Sequence, residues 1–182
     1  MQGDFEKHLE ALRRCGLPSS NLTELRTPED LEQVDRAILP GGESTTVGLL
    51  MQRYGLGEAL KSRVGAGMPL WGTCMGMILM AKEIDGRPQQ YSLGLLDVGV
   101  ERNAFGAQVH SFEEELEVEG LDGPITAVFI RAPVVTRLGK GVEALAEHEG
   151  KVVAVRQGKL LGTSFHPELT EDLRMHRMFL AL

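Results

Sequence analysis

Apolar positions recur along this chain in two rhythms, one of three and four residues and one of continuous short runs. Phe5, His8, Leu9 and Leu12 share one face at helical spacing, which predicts a helix over about 5–14 capped by Asp4 and ended by Cys15 and Gly16. Leu22 to Leu25 reads as a short strand, and Thr27 caps a short helix that opens on Pro28. Arg36-Ala37-Ile38-Leu39 is an apolar strand that runs into Pro40-Gly41-Gly42-Glu43-Ser44-Thr45-Thr46. Helices are expected at about 45–54 and 58–64. Leu70 to Thr73 then forms a strand end, Cys74 a tight turn, and the residues up to about Ile84 an amphipathic helix.

Beyond a polar loop at Asp85 to Ser92, the pattern changes. Val98-Gly99-Val100 and Gln108-Val109 are strand-like, and Glu113 to Glu119 reads as an acidic, solvated edge. Thr126 to Ile130 is a strand. Val142 to Ala146, Val152 to Arg156 and Lys159 to Phe165 read as antiparallel strands, the last two joined by a tight turn at Gln157-Gly158. A helix over about 171–182 completes the pattern. Alternating helix and strand first, antiparallel strands later, predict an α/β fold: a three-layer α/β/α sandwich with a mostly parallel sheet, one domain over residues 1–182.

Composition narrows the function. The length of 182 residues suits a single domain with a sizeable core. With 19 Lys and Arg against 26 Asp and Glu, the net charge of -7 argues against a nucleic-acid surface. No apolar run is long enough to span a bilayer, and the polar opening Met1-Gln2-Gly3-Asp4 predicts no signal peptide. Cys15 and Cys74 read as free thiols of a cytoplasmic protein. No His, Cys or Asp spacing fits a zinc or calcium site, so neither metal nor cofactor is expected.

The chemistry concentrates at Gly72-Thr73-Cys74-Met75-Gly76. Glycines two residues either side of a cysteine, between a strand and a helix, fit a nucleophile elbow, in which a sharp turn lifts the thiol clear of the sheet. A helix N-terminus favours thiolate over thiol. The competing reading is a small buried core cysteine, which has no need of those glycines. A reactive thiol requires a base, and the base an orienting partner. Of five histidines, His8 and His176 sit on helices, and His110 and His148 lie in polar surroundings. His166 ends an apolar strand, with Glu168 two residues on and pointing to the same side. The alternative is a surface pair without chemistry. In the Gly41-Gly42 loop, backbone N–H groups can face a ligand, or the loop is a plain turn capped by Ser44; a phosphate loop is set aside because its lysine is missing.

Gly72-Thr73-Cys74-Met75-Gly76 with His166-Pro167-Glu168 resembles the class I (triad) glutamine amidotransferases, a flavodoxin-like fold. Leu39 to Thr46, Val100 to Gly106, Val128 to Pro133 and Thr163 to Thr170 resemble, more narrowly, the family of glutaminase subunits of pyridoxal 5'-phosphate synthase. With the helix after Gln2-Gly3, the resemblance spans essentially the whole chain. It implies hydrolysis of L-glutamine to glutamate and ammonia, and delivery of the ammonia to a separate (β/α)₈-barrel synthase subunit within a large hetero-oligomer. In that likeness Cys74 is the nucleophile, His166 the base and Glu168 its orienting group. Gly42, Glu43, Ser44, Arg102, Ile130 and Arg131 line the glutamine site, the two arginines gripping its carboxylate. The N–H groups of Met75 and of the Gly41-Gly42 loop, Gly42 above all, hold the oxyanion.

Two departures from the family pattern stand out. A small residue is usual where this chain has Met75. The family also opens with an apolar strand just before its Gln-Gly pair, whereas here Met1 directly precedes Gln2. The expectation is that the natural product continues upstream as a strand, and that the sheet shows a strand-sized gap in its middle beside Ile38-Leu39. Rival readings are the glutaminase of another complex, such as imidazole glycerol phosphate synthase, a non-catalytic interaction subunit, and a cysteine peptidase.

Overall fold

Strand and helix boundaries follow the pattern of burial closely. The computed structural model describes residues 5–105 and 111–182. The expected Asp4 cap, the strand at Gln108-Val109 and His110 therefore lie outside the described residues. Helix α1 (Phe5–Arg14) leads through short 3₁₀ turns at Ser19–Asn21 and Pro28–Gln33 to β1 (Ala37–Leu39). Helices α2 (Ser44–Arg53) and α3 (Leu56–Gly65) follow, then β2 (Leu70–Thr73), α4 (Met75–Met80) and β3 (Ala81–Ile84). The second half holds β4 (Leu96–Glu101), β5 (Phe112–Leu116), β6 (Ile125–Phe129), β7 (Val134–Leu138), β8 (Glu143–His148), β9 (Lys151–Gln157), β10 (Leu160–Thr163) and α5 (Arg174–Leu180).

The main sheet has the order β1-β2-β10-β9-β7-β4-β3, with β8 also paired to β9, and β5 and β6 form a separate ribbon. It is mixed. β1, β2 and β10 run parallel, as do β3 and β4, while β9 is antiparallel to β10, β7 and β8. Side chains alternate across it, as a pleat requires. Leu70 and Leu160 enter an apolar layer with α2, α3 and α4, whereas Trp71 and Leu161 enter a second layer with Phe129, Phe165 and Phe179. These are the two faces of the expected sandwich.

Three local expectations are corrected. The helix after Cys74 stops at Met80 rather than near Ile84, because Ala81 turns to extended backbone (φ -63°, ψ 148°) and pairs with Leu96 as the start of β3. Its six residues are all buried, so it is an apolar core helix, not an amphipathic one. Leu22 to Leu25 makes no ladder among the described residues. His148 stands over an aromatic cluster, with ring centroids 5.4 Å from Phe112 and 5.5 Å from Phe129, rather than in polar surroundings.

Beside β1 lies a groove of about 580 Å³, lined by Leu22 to Leu25, Ala37 to Leu39, Leu9 and Leu12 of α1, and Met75. Among the described residues β1 pairs only with β2. Ile38-Leu39 thus stands at the edge of the described sheet, beside this groove, and not beside a gap in the sheet's middle as expected. The reason is that, among those residues, no second strand pairs with β1 on that side.

Candidate active site

Cys74 sits where β2 ends and α4 begins, and its backbone is strained: φ 49° and ψ -105° is a conformation that L-residues seldom adopt. The strain persists because both flanking glycines are forced. A Cβ on Gly72 would lie 2.4 Å from the Gly76 carbonyl carbon, and one on Gly76 would lie 1.9 Å from the Leu39 carbonyl oxygen. The turn is locked further where the Cys74 N–H donates to the Thr163 carbonyl at 2.7 Å, tying the end of β2 to β10. Cys74 Sγ lies 3.8 Å from the Ile130 carbonyl.

His166 follows β10, and its N–H donates to the Val128 carbonyl at 2.8 Å. A 3₁₀ turn at Pro167–Leu169 then folds Glu168 back beneath it, so that the pair is held by a tight turn and not by an extended segment. His166 Nδ1 and Glu168 Oε1 are 2.8 Å apart, and both side chains are buried. Burial alone would lower the His166 pKa. Hydrogen bonds to Cys74 and Glu168, together with their negative charges, outweigh it and lift His166 to about 10. Burial likewise favours a neutral Glu168, yet the hydrogen bond from His166 and the charges of His8 and His166 hold its pKa below the usual carboxylate range. The ion-pair state of the site therefore carries its proton on the imidazole.

The loop after β1 closes the site from the other side. Gly41 lies against the His166 ring, where a Cβ would come 2.5 Å from Cε1. Glu43, not Ser44, caps α2: its carboxylate accepts the N–H groups of Thr46 at 2.7 Å and Thr45 at 3.1 Å. The Thr46 bond in particular holds Glu43 at a pKa of about 2. Ser44 is buried and takes a hydrogen bond from Gln90 Nε2 at 2.9 Å. Gln90 Oε1 in turn accepts from Arg102 at 2.7 Å, and Arg102 also reaches Glu43 at 3.4 Å. Gln90 thus bridges two expected site residues, Ser44 and Arg102, and was not singled out from the sequence, where it is one polar residue in a polar loop. Ile130 is half-buried and Arg131 exposed at φ 45°.

Met75 opens α4, and the first N–H of a helix has no intrahelical acceptor. Its side chain is buried in the apolar layer with Leu39, Val47 and Leu79 and lines the groove beside β1. The extra length relative to a small residue is accommodated in the core. Among the described residues no group of acidic, His or Cys side chains could hold a metal, and no helix is long and apolar enough to cross a membrane.

A thiol at a strained strand-to-helix turn, beside an imidazole hydrogen-bonded to a buried carboxylate on a mixed α/β sheet, is the arrangement expected of a class I glutamine amidotransferase. A crystal structure described as a glutamine amidotransferase superposes with a TM-score of 0.93 at 56% identity, covering 99% of this chain and 94% of its own. The chain belongs to the SNO glutamine amidotransferase family, whose sequence profile matches residues 1–182. Named relatives are the pyridoxal 5'-phosphate synthase subunit PdxT of Thermus thermophilus, 58% identical over 183 residues (100% of this chain, 94% of the relative), and that of a Roseiflexus species, 55% identical over 185 residues (100% and 96%). A glutamine amidotransferase from Thermotoga maritima shares the fold at a TM-score of 0.56 and 17% identity, covering 90% of this chain and 67% of its own.

Proposed function

We propose that this chain hydrolyses L-glutamine at Cys74 and passes the ammonia to a (β/α)₈-barrel synthase subunit that makes pyridoxal 5'-phosphate. The observation that carries the reading is that Cys74, at the end of β2, meets His166 from far along the chain, and that the His166 imidazole is hydrogen-bonded to Glu168. The names of the relatives supply the pathway.

Cys74 Sγ adds to the side-chain amide carbon of glutamine. The oxyanion that forms meets the N–H groups of Met75 and Gly42, one such donor typically contributing about 10²–10³ in rate. His166 gives its proton to the departing nitrogen, so ammonia leaves and a thioester to Cys74 remains. A water then attacks the thioester, His166 accepts its proton, and the thiol returns as glutamate departs. Glu168 keeps the imidazole in the required tautomer throughout. Gly42, Glu43, Ser44, Arg102, Ile130 and Arg131 line the glutamine pocket. For Arg102 to grip the substrate carboxylate, it exchanges its contacts with Gln90 and Glu43 for the ligand. The barrel subunit docks in a large hetero-oligomer and activates the glutaminase, which spares glutamine when no acceptor is present.

The test is glutamine turnover with and without the barrel subunit, combined with labelling by a glutamine-like diazo-ketone. The expected result is a nearly silent isolated chain, many-fold activation by the partner, and label on Cys74 but not on Cys15. Equal turnover in both states overturns the partner dependence, and label on Cys15 or full activity in Cys74→Ala overturns the mechanism. Ammonia-dependent rescue of a vitamin B6 auxotroph separates this pathway from another amidotransferase complex.

A further inference from the structure

Glu168 has two carboxylate oxygens, and the mechanism uses one. Oε1 holds His166, while Oε2 is fully buried and makes no aligned hydrogen bond among the described residues. What faces it is His8 of α1, whose Nε2 lies 3.4 Å away, a charge contact rather than a hydrogen bond. His8 is itself buried, and its ring is fixed on every side. Nε2 is 3.3 Å from Thr73 Oγ1, on the residue preceding the nucleophile, and Nδ1 is 3.0 Å from His176 Nε2. Trp71 packs edge-on against both imidazoles, with centroids 5.6 Å from His8 and 5.1 Å from His176.

The protonation pattern follows from the neighbours. Burial, then the positive charge of His8, push His176 down to about 4, so its Nε2 is a neutral acceptor for the His8 Nδ1–H. The other ring nitrogen of His8, Nε2, is hydrogen-bonded to Thr73 Oγ1 at 3.3 Å and lies 3.4 Å from Glu168 Oε2, so a proton on it donates to Thr73 and stands beside the carboxylate. An imidazole that donates at both nitrogens carries a positive charge, and this one faces a buried carboxylate.

We propose that His8 is a positioning residue of the glutaminase site: a buried imidazolium, seated on His176, that fixes the second oxygen of Glu168 and keeps its carboxylate charged and aimed at His166. The inference rests on the reading of Cys74, His166 and Glu168 as the triad. It extends that array by two residues on helices that touch no reacting atom, so the buried line runs Cys74, His166, Glu168, His8, His176.

Among the described residues, the charged and titratable groups around His8 are Glu168 and His166 from the segment after β10 and His176 from α5, with Arg14 of α1 acting on His176 and Cys74 beyond His166. Loss of the His8 charge makes Glu168 easier to protonate. The acidic limb of the pH–rate profile then moves to higher pH, because the carboxylate form is the one that orients His166.

The experiment uses the chain assembled with its barrel partner and measures glutamine hydrolysis across pH for wild type, His8→Leu and His8→Gln. Partners that orient a functional group typically contribute about 10–100-fold. The expected result for His8→Leu is a fall of that size in kcat, KM for glutamine within about twofold, and an upward shift of the acidic limb. His8→Gln, which keeps a donor without the charge, should recover part of kcat while retaining the shifted limb. If His8→Leu does not fold, His8→Gln alone decides by its limb. An unmoved acidic limb, whether or not kcat falls, overturns the proposal and leaves His8 a packing residue. Activity surviving in Cys74→Ala would instead overturn the triad reading, which keeps the two failures distinct.

Discussion

Gly76→Ala is the sharpest test of how the elbow is built. The added Cβ would lie 1.9 Å from the Leu39 carbonyl oxygen and 2.8 Å from its carbonyl carbon. Both are backbone atoms of β1, which cannot rotate aside as a side chain would. Helix α4 and β1 must therefore part by about 1 Å in a close-packed interior. Overpacking of this kind costs roughly 1–3 kcal/mol, occasionally more. For a domain of this size that corresponds to a fall of about 2–12 °C in melting temperature, at 2–4 °C per kcal/mol. Activity should fall further than stability, since α4 carries the Met75 N–H and sets the height of Cys74; a 1 Å misplacement is enough for about 10²-fold. The control is Gly65→Ala at the end of α3, where an added Cβ meets nothing within 4 Å. It should melt at or slightly above wild type. The assay is thermal unfolding of the chain together with glutamine turnover in the presence of the barrel subunit. Wild-type melting and full turnover in Gly76→Ala would refute the argument that Leu39 and Gly76 fix the nucleophile.

Within the triad, Cys74→Ala and His166→Asn should abolish turnover while Glu168→Gln leaves residual activity; the order is wrong if Glu168→Gln is dead and His166→Asn still works. His166 is lifted from an ordinary 6.5 to about 10, so its contribution to stability is complete below about 6.5 and is lost as pH rises through 10. Chemical unfolding of wild type should show that decline and His166→Asn should not; parallel curves for the two would contradict the pair. On the acid side His176, held neutral down to about 4, makes the fold lose stability as pH falls from 6.5 towards 4, and His176→Phe should flatten that slope.

The elements that carry the chemistry were legible because each has a local signature. Gly72 and Gly76 around Cys74 announced a turn that admits no Cβ, and the structure gives each its obstacle. His166 and Glu168 were found by spacing, although the 3₁₀ turn that unites them is not the extended segment assumed. What stayed hidden depends on tertiary placement. His8 read as one residue of an amphipathic face, and only the packing of α1 against the 167–169 turn directs that face towards Glu168. Gln90 had no pattern around it. β3 was absorbed into the preceding helix because Met77 to Met80 is uniformly apolar, and periodicity cannot mark a boundary in a run that is buried all round. β7 was missed beside Pro133 for want of alternation, its pairing to β4 and β9 being wholly non-local.

The position of β10 has a consequence for the birth of the molecule. β10 lies between β2 and β9, and the Trp71 indole reaches Thr163 across 92 positions of sequence. Pairings of such span form late, after the entropy of closing the intervening loop has been overcome. A ribosome that has released β2 and α4 has therefore made the nucleophile but neither the strand beside it nor the base above it. Since chains emerge at roughly 5–20 residues per second, several seconds separate the two. During that interval Cys74 lacks the Thr163 carbonyl that pins its turn and the imidazole that takes its proton. The three side chains thus come together only when the sheet has closed around its own inserted strand.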